Sequence, residues 1–218
     1  LQIVSLPFVQ SWVGLGPYGV YLLCNTYVTY LALVDVGFSE GALIHLARRG
    51  GDLDDKTYYG QYRVHMLLAL AHSVFGAGLL FVVSRLFQLP GTTVYGSLVV
   101  WTGVYFAFSY LQAAHAVNLM AKKQFGLLAI QNAVGSIGTA LGSLVFAYLL
   151  RSPQAVFMGG SLAIGLNLVL SLSLLHWDTG SAWLSGRMEW SVAKRYLALG
   201  TRSYANRFLA LVAGNSDR

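Results

Sequence analysis

The sequence predicts an all-α protein, a polytopic transmembrane helix bundle with about six spans and a truncated seventh. Of its 218 residues, 56% are hydrophobic and only 10% are charged, whereas soluble domains carry about 25% charged residues. Arg63 and Arg85 bracket a run without Asp, Glu, Lys or Arg, and 86–121, 124–150 and 152–177 also lack them. At about 1.5 Å per helical residue, such runs cover the roughly 30 Å of a bilayer core. They are too long, and alternate too little, for transmembrane strands of about 10 residues.

The first elements follow from apolar runs and their breaks. Residues 1–13 predict the end of a first span, and the sequence LGPYG at 15–19 predicts a tight break, because Pro and Gly together stop a helix. A second span is predicted at about 18–36, continuing as a more polar helix to Arg49. A polar loop opens at 50–52.

The later part of the chain repeats one pattern, an apolar run followed by a short segment containing Pro, Gly or Lys. Each short segment predicts the end of a helix. The predicted spans are 62–87, 93–120, 125–150 and 155–176, with a turn at 89–91, a polar linker at 178–190 and a helix that starts near Ser191.

Basic residues gather at alternate loops, which predicts the orientation. The opposite side carries only Arg85 and Arg151, and cytoplasmic loops carry the Lys/Arg excess. The loops near 50–60, 122–123 and 178–195 are therefore predicted to be cytoplasmic, in a multi-pass protein of the cell inner membrane. Their basic residues are Arg48, Arg49, Lys56, Arg63, Lys122, Lys123, Arg187, Lys194 and Arg195. The net charge of +6 then reflects orientation, and we expect no nucleic-acid partner.

Both ends of the chain lie inside or close to apolar segments, so we expect a piece of a larger protein. Residues 1–177 are predicted to form an N-terminal transmembrane lobe with a truncated first span. Residues 178–190 would be a cytoplasmic linker, and 191–218 the truncated start of a second lobe. On this interpretation the chain alone is not expected to transport anything.

Polar residues recur at helical spacing within two spans. Tyr21, Asn25 and Thr29 share one face of the second span, and Tyr105 and Gln112 share one face of the fourth. Polar groups that face lipid are costly, so these faces should point into the bundle. Two interpretations stay open: a solvated cavity that contacts sugars or head groups, and packing through interhelical hydrogen bonds.

Three further stripes lie on the third, fifth and sixth spans. The glycines of the fifth favour close helix packing, since small residues let helices approach. The members are Gln61, His65 and His72 on the third span, Gln131, Gly135, Gly138 and Gly142 on the fifth, and Asn167 and Ser171 on the sixth.

Charged residues within helices give two open hypotheses. Asp35, near the cytoplasmic end of the second span, is either a cap or arginine partner, or part of an ion path. Arg195, Arg202, Asn206 and Asp217 share one stripe of the last helix. That stripe either attracts a phosphate or diphosphate, or belongs to an interfacial helix with snorkelling arginines.

Motifs for metal or nucleotide chemistry are weak. Asp52 and Asp54 form a D-x-D, which occurs in metal-dependent sugar transferases. The favoured interpretation is a solvated loop in which Asp54 or Asp55 caps the next helix. The histidines form no short ligand pair, and no nucleotide-binding motif occurs. We therefore expect neither a metal nor a cofactor, and no enzymatic activity.

Several segments together resemble a known family. They are LGPYGVY at 15–21, LVDVGF at 33–38 with the Ala/Arg-rich helix to Arg49, and the piece 196–218. In this order they are similar to bacterial polysaccharide (O-antigen or exopolysaccharide) flippases of the multidrug/oligosaccharidyl-lipid/polysaccharide exporter superfamily. The chain departs from the family where a basic residue is common, since it has Val13-Gly14 before the first segment and His45 after the second.

The resemblance implies the first lobe of a two-lobe transporter that moves an undecaprenyl-diphosphate-linked glycan across the cytoplasmic membrane by alternating access. It implies that Arg202 and Arg207 hold the diphosphate, that the tyrosine and amide stripes face the sugars, and that Asp35 and Asp217 are candidates for ion coupling. The implied partners are the lipid-linked glycan, membrane lipids and a C-terminal lobe. Alternatives are a related multidrug or peptidoglycan-precursor exporter, a membrane-embedded glycosyltransferase, and an inert scaffold.

Overall fold

A computed structural model of the chain describes residues 2–33, 37–49, 53–86, 97–180 and 187–201. Within these ranges the regular structure is entirely helical. The helices are α1 (Gln2–Val13), α2 (Leu15–Leu33), α3 (Phe38–Arg49), α4 (Asp55–Leu86), α5 (Leu98–Ala121), α6 (Phe125–Leu150), α7 (Pro153–Thr179) and α8, described over residues 191–201.

Three of the described helices are long and apolar enough to cross a membrane: Asp55–Leu86, Phe125–Leu150 and Pro153–Trp177. They contain 32, 26 and 25 residues, more than the roughly 20 that a bilayer core requires. This confirms the third, fifth and sixth predicted spans by length and composition. The total of about six spans stays a prediction.

The predicted break at 15–19 is wrong in its position. Helix α1 ends at Val13, only Gly14 lies outside a helix, and α2 already begins at Leu15. Gly14 makes the turn with a φ of +91°, which a residue with a side chain rarely adopts. Pro17 is accommodated because it lies in the first turn of α2, where no intrahelical acceptor awaits its missing N–H.

The predicted continuation of the second span to Arg49 is also wrong, because α3 is a separate helix. Gly37 lies in a turn with a φ of +82°, and α3 begins at the next residue, Phe38. A Cβ at Gly37 would collide with the backbone of Gly200 in α8. A glycine is therefore needed here both for its φ and for the close approach of another helix.

Two other boundaries differ from the sequence-based prediction. Helix α4 begins at Asp55, seven residues before the predicted start at 62, and Tyr58 N–H already donates to the Asp54 carbonyl at 2.9 Å. Helix α7 extends to Thr179, into the predicted linker. The predicted turn at 89–91 lies outside the described residues.

Close packing of α6 on α7 depends on glycine. A Cβ on Gly142 would lie 2.5 Å from the carbonyl oxygen of Gly159, and a Cβ on Gly138 would lie 3.5 Å from the Cβ of Ala163. The backbones of the two helices therefore approach directly, as in small-residue interfaces of membrane helices. At Gly138 and Gly142 this agrees with the packing interpretation of the stripe on the fifth span, whereas Gly135 faces two amide side chains.

Candidate functional site: a polar cavity and a cationic pocket

A polar cavity of about 290 Å³ lies between α5, α6 and α7. Hydroxyl and amide groups from two helices face it, which confirms that the polar stripe of the fourth span lies on one face. We call it the polar cavity; its lining residues are Tyr105, Ser109, Gln112, Ala113, Ala116, Asn132, Gly135, Ser136, Thr139 and Ile164.

Gly135 makes room for two amides at one end of this cavity. A Cβ at this position would lie 2.7 Å from Nε2 of Gln112 and 2.8 Å from Nδ2 of Asn167. The Asn167 amide donates to the backbone carbonyl of Gln131 at 3.0 Å. Oε1 of Gln112 is buried and has no hydrogen-bond partner in the part of the chain that the structure describes. The cavity therefore offers an acceptor to a ligand that can donate.

Aromatic packing connects the cavity to α2. The Tyr105 ring meets the Phe157 ring edge-on at a centroid distance of 5.5 Å, and Tyr21 packs against the same Phe157 ring at 4.9 Å. The structure thus brings Tyr21 and Tyr105 onto one ring of α7. Tyr105 lines the polar cavity, while Tyr21 belongs to the packing beside it.

The rest of the second-span stripe does not converge on this cavity. Thr29 is exposed, and its hydroxyl donates to the backbone carbonyl of Asn25 at 3.1 Å. Asn25 is half-buried. The role of Tyr21, Asn25 and Thr29 in substrate binding stays a prediction.

A second cavity, of about 330 Å³, lies between α3 and α8 and is positively charged. We call it the cationic pocket; it is lined by His45, Arg48, Arg195, Ala198 and Leu199. Arg48 and Arg195 are both exposed, so their guanidinium groups can reach an anion in the pocket. Nε2 of buried His45 lies 3.2 Å from Oε1 of Gln61, a contact that orients the ring.

Close backbone contact between α3 and α8 forms the cationic pocket. A Cβ on Gly41 would collide with the backbone of Tyr196, and one on Gly200 with that of Gly37. Tyr196 is fully buried, and its hydroxyl donates to the Gln61 backbone carbonyl at 3.1 Å. Tyr196 thus anchors α8, and the preceding residue, Arg195, lines the cationic pocket.

Sequence patterns did not reveal the pairing of Arg48 with Arg195. They assigned Arg195 to the polar stripe of the last helix and Arg48 to the flank of a loop. A helical period relates residues of one helix only, so it cannot connect a residue of α3 with one of α8. The sequence offered one indication of this site: His45 stands where the resembled family commonly has a basic residue, after the segment LVDVGF. The remaining candidates of the prediction lie outside the described residues: Arg202, Arg207, Asp35 and Asp217.

Buried tyrosines connect α4 to the C-terminal part of α5. The Tyr58 hydroxyl donates to Oδ1 of Asn118 at 3.0 Å, and the Tyr62 hydroxyl lies 2.7 Å from Nδ1 of His115. Nζ of Lys122 lies 4.9 Å and 4.3 Å from the ring centroids of Tyr58 and Tyr59. These contacts pin the end of α5 to the start of α4.

The structure describes one of the two aspartates of the D-x-D motif. Asp54 is exposed directly before α4, where its carbonyl accepts the first helical hydrogen bond, which is the N-cap position. Asp52 lies outside the described residues. In the ranges that the structure covers, no group of three or more His, Cys, Asp or Glu side chains is arranged to hold a metal ion.

The fold and site together define a helical membrane protein with a polar cavity and a cationic pocket among apolar helices. No protein family, curated protein or solved structure matches the chain.

Proposed function

We propose that the chain is part of a flippase that moves a lipid-linked oligosaccharide, an undecaprenyl-diphosphate glycan, across the cytoplasmic membrane for polysaccharide biosynthesis. The observation that carries this proposal is the polar cavity among helices whose outer faces are apolar. Hydroxyl and amide groups inside a membrane are costly unless they serve packing or a polar ligand.

The lining of the polar cavity suits sugars. Tyr105, Ser109, Gln112 and Asn132 offer hydroxyl and amide groups that both donate and accept hydrogen bonds, as sugar hydroxyls do. None of the ten lining residues carries a charge. Such a lining favours a neutral, hydroxyl-rich group over a cationic drug, which supports the glycan over a multidrug substrate.

The cationic pocket suits the diphosphate of the same substrate. Two arginines bind phosphate oxygens through forked, charge-assisted hydrogen bonds. In this proposal Arg48 and Arg195 hold the diphosphate, beside the earlier candidates Arg202 and Arg207, and alternating access carries the head group across. Arg195 lies on α8 and Arg48 on α3, so one bound anion would bridge the two helices.

The proposal is tested in cells that express the gene from its own locus. We expect Arg48→Gln combined with Arg195→Gln to lower surface glycan at least tenfold and to accumulate the lipid-linked precursor. Lys194→Gln is the matched control, because Lys194 is an exposed neighbour on α8 that does not line the pocket. Wild-type surface glycan in the double variant, at equal protein level, would refute the diphosphate role.

A further inference from the structure

A third cavity, of about 420 Å³, lies between α6 and α7, is also lined by His115 and Leu119 of α5, and shares no lining residue with the polar cavity or the cationic pocket. Most of its walls are leucine, isoleucine and valine. We call it the α6–α7 groove; its central lining residues are Leu127, Ile130, Gln131, Leu170, Ser171 and Leu174.

The side chain of Gln131 lies buried in the lining of this groove. It is 4% exposed, and neither Nε2 nor Oε1 has a hydrogen-bond partner within the described part of the chain. The neighbouring Asn167 amide does not satisfy it: that amide donates to the Gln131 backbone carbonyl, and no hydrogen bond with the Gln131 side-chain amide is made within the described residues. A buried amide without partners is costly, so this geometry indicates a ligand that supplies an acceptor to the Gln131 NH₂ group.

The rim of the groove is strongly apolar and exposed. Ile130 is 60% exposed and Leu174 is 64% exposed, and both lie in helices long and apolar enough to cross a membrane. Apolar side chains on such helices face lipid chains. A hydrocarbon chain can therefore enter the groove from the bilayer.

One end of the groove suits a phosphate. Gln124, the N-cap residue of α6, lines the groove and makes no side-chain capping bond. The first N–H groups of α6 are left without intrahelical acceptors and carry partial positive charge. Lys123, the preceding residue, is exposed. A phosphate at this end would meet both the helix N-terminus and a lysine.

The depth of Gln131 matches the ester level of a lipid. It lies six residues into α6 from Phe125, about 9 Å at 1.5 Å per residue. The head-group layer is about 5 to 7.5 Å thick on each side, half the difference between a bilayer of 40–45 Å and its 30 Å core. A helix that begins at the outer edge of that layer places Gln131 about 1.5 to 4 Å below its inner boundary, within side-chain reach of the acyl ester carbonyls.

We propose that the α6–α7 groove is a binding site for a glycerophospholipid of the adjacent leaflet. Its phosphate lies at Lys123 and the N-terminus of α6, an ester carbonyl accepts a hydrogen bond from Nε2 of Gln131, and one acyl chain continues from there past Val134 toward the middle of the membrane. The proposal does not rest on the flippase function, because it needs only a membrane around α6 and α7.

The test is photo-crosslinking in nanodiscs that contain the purified chain and a phosphatidylethanolamine with a diazirine on one acyl chain. Peptide mapping is expected to find adducts on α6 and α7. Ser171→Phe fills the groove and should reduce these adducts at least fivefold. Ser173→Phe is the matched control, because Ser173 is exposed on the same helix and does not line the groove. Far-UV circular dichroism checks that both variants stay helical.

Two further arms test the chemistry of the occupant. Gln131→Leu should lower labelling about threefold to tenfold, and an ether-linked lipid without ester carbonyls should compete correspondingly less well than the ester lipid. Equal labelling of the Ser171→Phe and Ser173→Phe variants would overturn the site. Equal competition by the ether lipid, or displacement by an isoprenyl diphosphate but not by phospholipid, would overturn the assignment to a glycerophospholipid.

Discussion

Substituting Gly142 by alanine should weaken the packing of α6 on α7. The added Cβ would lie 2.5 Å from the carbonyl oxygen of Gly159 and 3.0 Å from its carbonyl carbon. Ordinary contacts between a carbon and a carbonyl oxygen are about 3.3 to 3.6 Å, so the two helices must separate by roughly 1 Å. The obstructing atoms belong to a backbone and cannot rotate away.

The magnitude follows from two opposing terms. Overpacking costs about 1 to 3 kcal/mol, and a rigid backbone obstacle places this contact toward the upper end, at about 2 to 3 kcal/mol. Alanine is a better helix former than glycine by about 1 kcal/mol. Gly142→Ala should therefore lower the free energy of unfolding by about 1 to 2 kcal/mol.

Gly78→Ala is the matched control. Gly78 lies in α4, and a Cβ there would meet no atom within 4 Å. The control should keep the helix-forming gain of up to about 1 kcal/mol. The two variants are therefore expected to differ by about 2 to 3 kcal/mol, roughly 30- to 140-fold in the unfolding equilibrium.

The single cysteine, Cys24, provides the assay. It is buried against Leu98 and Phe157, so its thiol reacts with a maleimide only when the bundle opens. Labelling is followed as SDS is titrated into the micelles. Gly142→Ala should open at lower SDS than wild type and Gly78→Ala at the same or higher SDS. Identical midpoints for the two variants would show that α6 and α7 do not pack through this glycine.

Four further outcomes are expected. Lys122→Ala should cost about 1 kcal/mol of unfolding free energy, because the ammonium group lies over two tyrosine rings. Lys123→Gly should instead gain about 0.5 to 1 kcal/mol, since a φ of +57° suits glycine; a denaturant titration that ranked the two the other way would contradict both. Tyr62→Phe removes the partner of the His115 ring and should cost about 1 to 2 kcal/mol of unfolding free energy in the same titration. Tyr148→Phe is the matched control, because Tyr148 is exposed on α6 and should tolerate the change. In a background without the native cysteine, Lys123→Cys should react with an impermeant thiol reagent only from the cytoplasmic side and Arg151→Cys only from the other side, and the reverse pattern would refute the predicted orientation.

Much of the helical framework was predictable because hydrophobic runs are local. The bounds 125–150 for α6 agree with the structure residue for residue, and the start of α8 at 191 also agrees. The first residue of a helix was less predictable where only a few residues specify it. Helix α4 begins seven residues early because Asp54 can cap it, and the polar turn at Tyr58–Gln61 looks like loop until its partners on α3, α5 and α8 are known.

The candidate site was predictable only within single helices. The face shared by Tyr105, Ser109 and Gln112 follows from a period of 3.6 residues, and it lines the polar cavity. The same reasoning grouped Tyr21 with Thr29, but Thr29 is exposed and Tyr21 packs on Phe157. A helical period specifies which residues share a face, and not which neighbour that face meets.

The amino-acid sequence by itself determined that this is a helical membrane protein, because burial in lipid demands long uncharged runs and internally satisfied backbones. It also determined which positions are small enough for helices to touch. Only the tertiary structure decided that Arg48 and Arg195 share a pocket, that Gly135 opens space for two amides, and that Gln131 lies without a partner in the α6–α7 groove. These features join residues far apart in the chain, and contacts between helices arise from the packing of whole surfaces, which no local pattern contains.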